Sequence, residues 1–127
     1  ARNIGGKVVA RVYDGATAEG WKSQIAEAAK PHLPKFPLMG PIRLSVEFVM
    51  PRPRSHYRTG KFADQLRENA PAHHLGRPDL DNMIKALMDC MTTLGVWRDD
   101  ASVCQYGAVA KVYGQRPGAE ITVEVIA

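Results

Sequence analysis

Five aspartates fall within residues 79–100: Asp79, Asp81, Asp89, Asp99 and Asp100. Hard divalent cations take carboxylate oxygens, and Mg²⁺ is commonly held by one or two carboxylates, several waters and the phosphate oxygens of a substrate. Asp79, Asp81 and one of the Asp99–Asp100 pair would suffice for such a site. A cation bound there can activate a water and neutralise charge on a phosphodiester in the transition state. Lys85 follows Asp81 by four residues, so a helix places both on one face. Lys85 would then contact a phosphate oxygen or orient the attacking water. Each motif also has a plainer reading, since Asp at a helix start is often only a cap and Asp-Asp in a turn often only a turn. The neighbouring sequence weighs against that reading. Residues 51–78 carry a net charge of +4, from Arg52, Arg54, Arg58, Lys61, Arg67 and Arg77 against Asp64 and Glu68, while the rest of the chain balances. Tyr57 sits among Arg54, His56 and Arg58, a pattern suited to neutralising a nucleic-acid backbone beside one stacking ring. Arg52, Arg54, Tyr57, Arg58, Lys61 and Arg77 are therefore the candidate DNA contacts. His73 and His74 read as loop residues, because Mg²⁺ prefers oxygen ligands.

The elements that must position these groups can be read in outline. The chain has 127 residues, 45% hydrophobic and 24% charged, which is ordinary for one globular domain spanning 1–127. A domain of this size buries enough surface to fold without metal or disulfide. No apolar run is long enough for a transmembrane helix, and the first residues lack the apolar core of a signal peptide. The chain also lacks an initiator Met, which suggests a trimmed N-terminus. Cys90 and Cys104 form no CxxC pair; Cys90 reads as a packed residue and Cys104 as a sheet residue, in keeping with a reducing, cytoplasmic setting.

Lys7–Tyr13 alternates weakly and is predicted as a strand. Thr17 can cap a helix running to about Lys30, with Trp21, Ile25, Ala28 and Ala29 on one face, stopped by Pro31 and Pro34. Ile42, Leu44, Val46, Phe48 and Met50 alternate with polar residues and predict a strand with one buried face. Residues 51–78 show no sustained period, which marks a functional or mobile loop, with a helical turn or two at 64–69. Leu80, Ile84, Leu87, Met91 and Leu94 form an apolar stripe, with Asp79 as N-cap and Gly95 as the stop. Trp97 reads as core. A strand over 103–113, a hairpin-type turn at 114–118 and a last strand at 120–126 complete the order β-α-β-loop-α-β-β. The fold class is α/β in the broad sense (α+β), with a small mixed sheet and two main helices.

Arg77-Pro78-Asp79-Leu80-Asp81-Asn82, followed by Lys85-Ala86, Asp89, Gly95, Trp97 and Asp99-Asp100-Ala101, closely resembles the RusA family of Holliday junction resolvases. The likeness extends more loosely through Val109 and Lys111, and upstream to Ala18-Glu19-Gly20 and Phe48-Val49-Met50-Pro51. It implies a small mixed-sheet fold working as a homodimer, and Mg²⁺-dependent cleavage of four-way DNA junctions by paired nicks. Mn²⁺ would substitute for Mg²⁺. By position, the family's acidic cluster falls on Asp79, Asp81 and Asp100 and its catalytic lysine on Lys85, with Asp99 matching a further Asp. Family members usually open with a strand that is not found before Ala1. The 51–78 segment is longer than in the shortest members, so the DNA contacts named above rest on residue chemistry alone. A phage or prophage origin fits the family. The competing readings are a non-catalytic DNA-binding module whose aspartates are structural, and a dimeric scaffold that binds no DNA.

Overall fold

The computed structural model describes residues 7–13 and 26–126. Its frame is a four-stranded sheet of β1 (Lys7–Tyr13), β2 (Ile42–Pro51), β3 (Val103–Gly114) and β4 (Gly118–Val125). The spatial order is β1-β4-β2-β3. β2 runs parallel to β3, and both the β2–β4 and β1–β4 pairs are antiparallel, so the sheet is mixed. The parallel β2–β3 pair requires a long crossover, and the loop at 52–79 with the following helix supplies it.

β2 shows why the alternation was legible. Ile42, Leu44, Val46 and Phe48 are at most 2% exposed, while Glu47 between them faces solvent. The helix Leu80–Leu94 lies over this apolar face and buries Met83, Ile84, Leu87 and Met91. Leu80 and Leu94, at the two ends of the stripe, are only half-buried but pack against the same cluster. Gly95 ends the helix at φ +79°, a conformation that costs a residue with a Cβ, and its N–H bonds the carbonyls of Met91 and Thr92. The chain then turns inward, leaving Val96 and Trp97 without solvent exposure.

Three readings need correction or restriction. The helix from Thr17 lies mostly outside the described residues. Within them, residues 26–29 are helical and pass into a 3₁₀ turn at Lys30–His32, so Pro31 sits inside the terminating turn. Residues 64–69 form turns and not a helix; the local 3₁₀ turns are Arg54–His56 and Gly60–Phe62. The segment 114–118 is not a hairpin turn. β3 and β4 lie on opposite sides of β2, with Gly114 opposite Pro51 and Gly118 opposite Val49. The connection therefore passes over the end of β2. A Cβ on Gly114 would stand 2.6 Å from Val49 Cγ1, so this close pass requires glycine.

The crossover loop folds on itself. Tyr57 and Leu66 form an antiparallel bridge, with Arg58 N–H bonding Gln65 O at 2.8 Å and Arg67 N–H bonding His56 O at 2.9 Å. The loop's end then joins the sheet beside β3. Tyr113 N–H bonds Ala72 O at 2.9 Å, and His74 N–H bonds Lys111 O at 3.0 Å. Among the described residues no helix is long and apolar enough to cross a membrane.

Leu87 is 0% exposed at the middle of the helix–sheet contact. Leu87→Ala should lower the free energy of unfolding by about 2–5 kcal/mol, because it removes buried methyl groups and leaves a cavity. Denaturant titration measures this, and a loss below about 0.5 kcal/mol, the usual range of surface substitutions, would contradict the packing.

Candidate active site

Asp79 occupies the N-cap position of the helix with extended backbone angles, φ −67° and ψ 145°. Its side chain nevertheless makes no capping hydrogen bond. The sequence reading of Asp79 as a cap is thus right for the backbone and not for the carboxylate, which is left free for another task. Asp81, in the first turn, is exposed, as is Lys85. Neither they nor Asp79 are in an ion pair with a described residue. The helix start is therefore a solvent-facing group of two carboxylates and one ammonium, all without partners among the described residues.

The other end of the helix is built differently. Trp97 is completely buried, so its indole N–H must find an acceptor inside the protein. It donates to Thr92 Oγ1 at 2.7 Å and, more weakly, toward Asp100 Oδ1 at 3.3 Å. The Thr92 hydroxyl donates in turn to Asp100 Oδ1. Both contacts to Asp100 fall on one oxygen, so Oδ2 remains open. Asp99 does what a turn aspartate does: its Oδ1 accepts Ala101 N–H at 2.9 Å at the start of the 3₁₀ turn Asp100–Ser102.

Asp81, Lys85 and Thr92 are separated by four and seven residues, spacings that keep them on one helix face. Asp100, held by Thr92, belongs to that same face. It does not meet Asp79 and Asp81, however. Thr92 lies eleven residues beyond Asp81, a rise of about 16 Å at 1.5 Å per residue. Among the described residues no three His, Cys, Asp or Glu side chains converge as a metal cage would need. The donor set still suits Mg²⁺. Asp79 and Asp81 both offer unbonded oxygens at the helix start, and Mg²⁺ takes few protein ligands and keeps its waters.

Two residues in this architecture had no role assigned from the sequence, although Lys111 falls within the looser part of the family likeness. Thr92 reads as a polar helix residue; only the need of a buried Trp97 for an acceptor could have pointed to it. Lys111 reads as a strand residue. It is 9% exposed, the one buried charged side chain among the described residues, and its Nζ donates to Gly76 O at 2.5 Å and Pro78 O at 2.8 Å.

The basic segment divides into pinned and free cations. Arg52 donates to Pro71 O at 2.8 Å and lies over the Tyr113 ring at 5.3 Å, so it braces the loop. Arg67 donates to Ser55 O at 3.1 Å. Arg58 donates to Gln65 Oε1 at 2.8 Å and lies 4.3 Å from the centre of the Phe62 ring, with Lys61 5.4 Å from the same ring. Arg54 and Arg77 are exposed and make no side-chain bond with a described residue. Tyr57 is half-buried.

A family model described as Endodeoxyribonuclease RusA matches residues 1–124. The chain belongs to the RusA family of endodeoxyribonucleases. It is 28% identical over 121 residues to the uncharacterized protein YqaN of Bacillus subtilis, a match covering 95% of this chain and 82% of YqaN. It is 27% identical over 99 residues to the crossover junction endodeoxyribonuclease RusA of Escherichia coli K12, covering 78% of this chain and 64% of that protein. The namesake of Enterobacteria phage 82 matches to the same extent, 27% over 99 residues. The match thus spans less than two-thirds of the length of these RusA proteins. Membership in the RusA family accords with the mixed sheet, the Asp79–Asn82 motif at the helix start and the Asp99–Asp100 turn.

His74 supplies a test of how the loop is seated. Its ring packs edge-on to Tyr113 with centroids 5.1 Å apart, and its Nδ1 is buried without a partner. Burial, and secondarily the Lys111 charge, hold its pKa below the ordinary 6.5. The fold thus favours the neutral ring, while the unfolded chain takes up a proton near pH 6.5. This contribution to stability should be complete above that value and be lost as pH falls below it. Thermal melts from pH 8 to pH 5 should show the decline, and His74→Phe should flatten it; an unchanged slope would locate the pH sensitivity elsewhere.

Proposed function

We propose that the chain is a Mg²⁺-dependent, structure-selective endonuclease that resolves four-way DNA junctions by paired nicks, acting as a homodimer. The observation that carries this reading is the unpartnered group at the helix start. A protein that only grips phosphates gains nothing from free carboxylates beside a basic loop. Asp79 and Asp81 gather negative charge and engage it in no structural bond, which suits a cation site. Family membership and the names of the RusA relatives support the substrate.

In this reading Asp79 and Asp81 hold Mg²⁺, with Mn²⁺ as a substitute, and Asp100 completes the acidic set. A cation held there would supply an activated water and offset charge on the phosphodiester. Lys85 contacts a non-bridging phosphate oxygen and so orients the scissile group. Thr92 and Trp97 hold Asp100 Oδ1, which restrains the carboxylate and leaves Oδ2 without a bond to a described residue. Hydrolysis forms a bond from the water oxygen to phosphorus as a bridging P–O bond breaks. Arg54, Lys61 and Arg77, with the remaining N–H groups of Arg58, meet the DNA backbone, and Tyr57 supplies a ring.

The separation of Asp100 from Asp79 and Asp81 along one helix favours a dimer. A twofold axis across the polar helix face would set Asp100 of one protomer beside Asp79 and Asp81 of the other, and would supply two sites for two nicks. Mixing tests this. Asp81→Asn and Asp100→Asn should each be inactive alone, and together should regain nicking, because a mixed dimer holds one intact site. Absence of any recovery in a mixture shown to exchange subunits would confine the acidic set to one protomer.

The chemistry is tested on a synthetic four-way junction. Cutting should require Mg²⁺ or Mn²⁺ and stop in EDTA. Asp81→Asn should bind the junction in EDTA as tightly as the parent or tighter, since it removes charge facing phosphates, while cleavage falls by orders of magnitude. Near-parental cutting by Asp81→Asn would make Asp81 a surface residue and support the non-catalytic alternative. For the loop, Ala at Arg54, Lys61 and Arg77 should each lower the salt slope of binding by about 0.9. Arg52→Ala should also loosen the loop, because Arg52 braces it.

A further inference from the structure

Lys111 is hard to explain as a stabilising residue. It is 9% exposed and, among the described residues, forms no ion pair. Taking an ammonium out of water is costly unless its donors are satisfied and its charge is balanced, and an apolar side chain of similar volume often packs there as well or better. Its neighbour across the parallel pair is Phe48, so the position is otherwise part of the apolar face. Lys111 nonetheless directs its Nζ to the carbonyls of Gly76 and Pro78, at 2.5 and 2.8 Å. Its own carbonyl accepts His74 N–H at 3.0 Å. One residue of the central framework thus grips the chain at three points over 74–78.

What those grips hold is the approach to the helix. Pro78 O belongs to the peptide that ends at Asp79 N, so the ammonium is bonded to the unit bearing the first carboxylate. Asp79 has no capping bond to fix it locally. The direction in which the chain delivers Asp79, and two residues later Asp81, is therefore set from β3. The buried charge is also of the right sign to oppose the repulsion between those carboxylates.

We infer that Lys111 is a positioning residue of the nuclease site: it acts through the Gly76 and Pro78 carbonyls to place Asp79 and Asp81 and touches neither DNA nor metal. This rests on the nuclease reading above, and the experiment below separates the two.

Lys111→Met keeps the length and apolar stem and removes the ammonium; Lys111→Arg keeps a cation. Three quantities are compared with the parent: junction affinity in EDTA, kcat with its half-saturating Mg²⁺ concentration, and amide hydrogen exchange over 79–84 against β2 and β4. Lys111→Met should keep junction affinity within about 2-fold, lower kcat by about 30-fold or more, and raise the Mg²⁺ requirement by about 5-fold or more. Exchange at 79–84 should quicken while the strands stay protected, and Lys111→Arg should recover part of kcat. Parental kcat in Lys111→Met overturns the proposal, as does a loss of junction binding in step with kcat. If Lys111→Met does not fold, Lys111→Arg decides on the same readouts. Its altered reach should lower kcat with affinity kept, and parental kcat with parental Mg²⁺ requirement overturns the proposal. If the parent itself does not cut the junction, the nuclease reading fails. Exchange at 79–84 then still decides whether Lys111 holds the helix start, and unchanged exchange there overturns the inference by itself.

Discussion

An apolar strand that pairs on both sides cannot be moved without breaking two ladders and one hydrophobic face. β2 is such a strand. Its inward residues Ile42, Leu44, Val46 and Phe48 are all but devoid of solvent, and it hydrogen-bonds to β3 on one side and β4 on the other. The helix Leu80–Leu94 can satisfy its own stripe only by lying on that face. Once it does, Met83, Ile84, Leu87 and Met91 point inward and Asp81, Lys85 and Thr92 have nowhere to go but the opposite flank. The disposition of the candidate catalytic groups is thus a by-product of burying the stripe.

The two ends of this helix are held by different chemistry, and each suits its aspartate. At the start, control comes through backbone carbonyls gripped from β3, and the carboxylates stay free. At the finish, control comes through a side-chain chain of bonds from Trp97 through Thr92 to Asp100. The buried indole has one polar atom, and its demand for an acceptor orders the hydroxyl and the carboxylate together. An unpartnered pair of carboxylates at one end and a single bonded carboxylate at the other would be complementary parts of the proposed site.

Much of this was legible beforehand because it depends on local periodicity. The strict alternation of β2 and the stripe of the helix survive into the fold nearly residue for residue, and Gly95 stops the helix where a positive φ is needed. The candidate site residues could be named from types and spacings, since Lys85 four residues after Asp81 is a local fact. What was not legible is long-range. The order β1-β4-β2-β3 separates β3 from β4, although the short Gly114–Gly118 link looks like a hairpin in sequence. Arg52 counts as one more cation in a basic run, yet Pro71 and Tyr113 claim it. Lys111 falls in the looser family likeness, but its role shows only when the loop carbonyls 33 and 35 residues away in sequence are brought onto it.

The crossover loop leaves the sheet at the end of β2 and is tied back to β3, the adjacent strand, through Ala72 and His74. Its two roots are therefore neighbours, and everything between the 57–66 bridge and its tip projects from a closed neck. For such a loop the entropic penalty of added length grows only logarithmically, by about 0.6 kcal/mol per doubling. The neck also insulates the helix start from whatever the tip does. If the tip meets DNA as proposed, insertion or deletion there would alter reach while the neck keeps the chain's path to Asp79 and Asp81, so the two could vary independently.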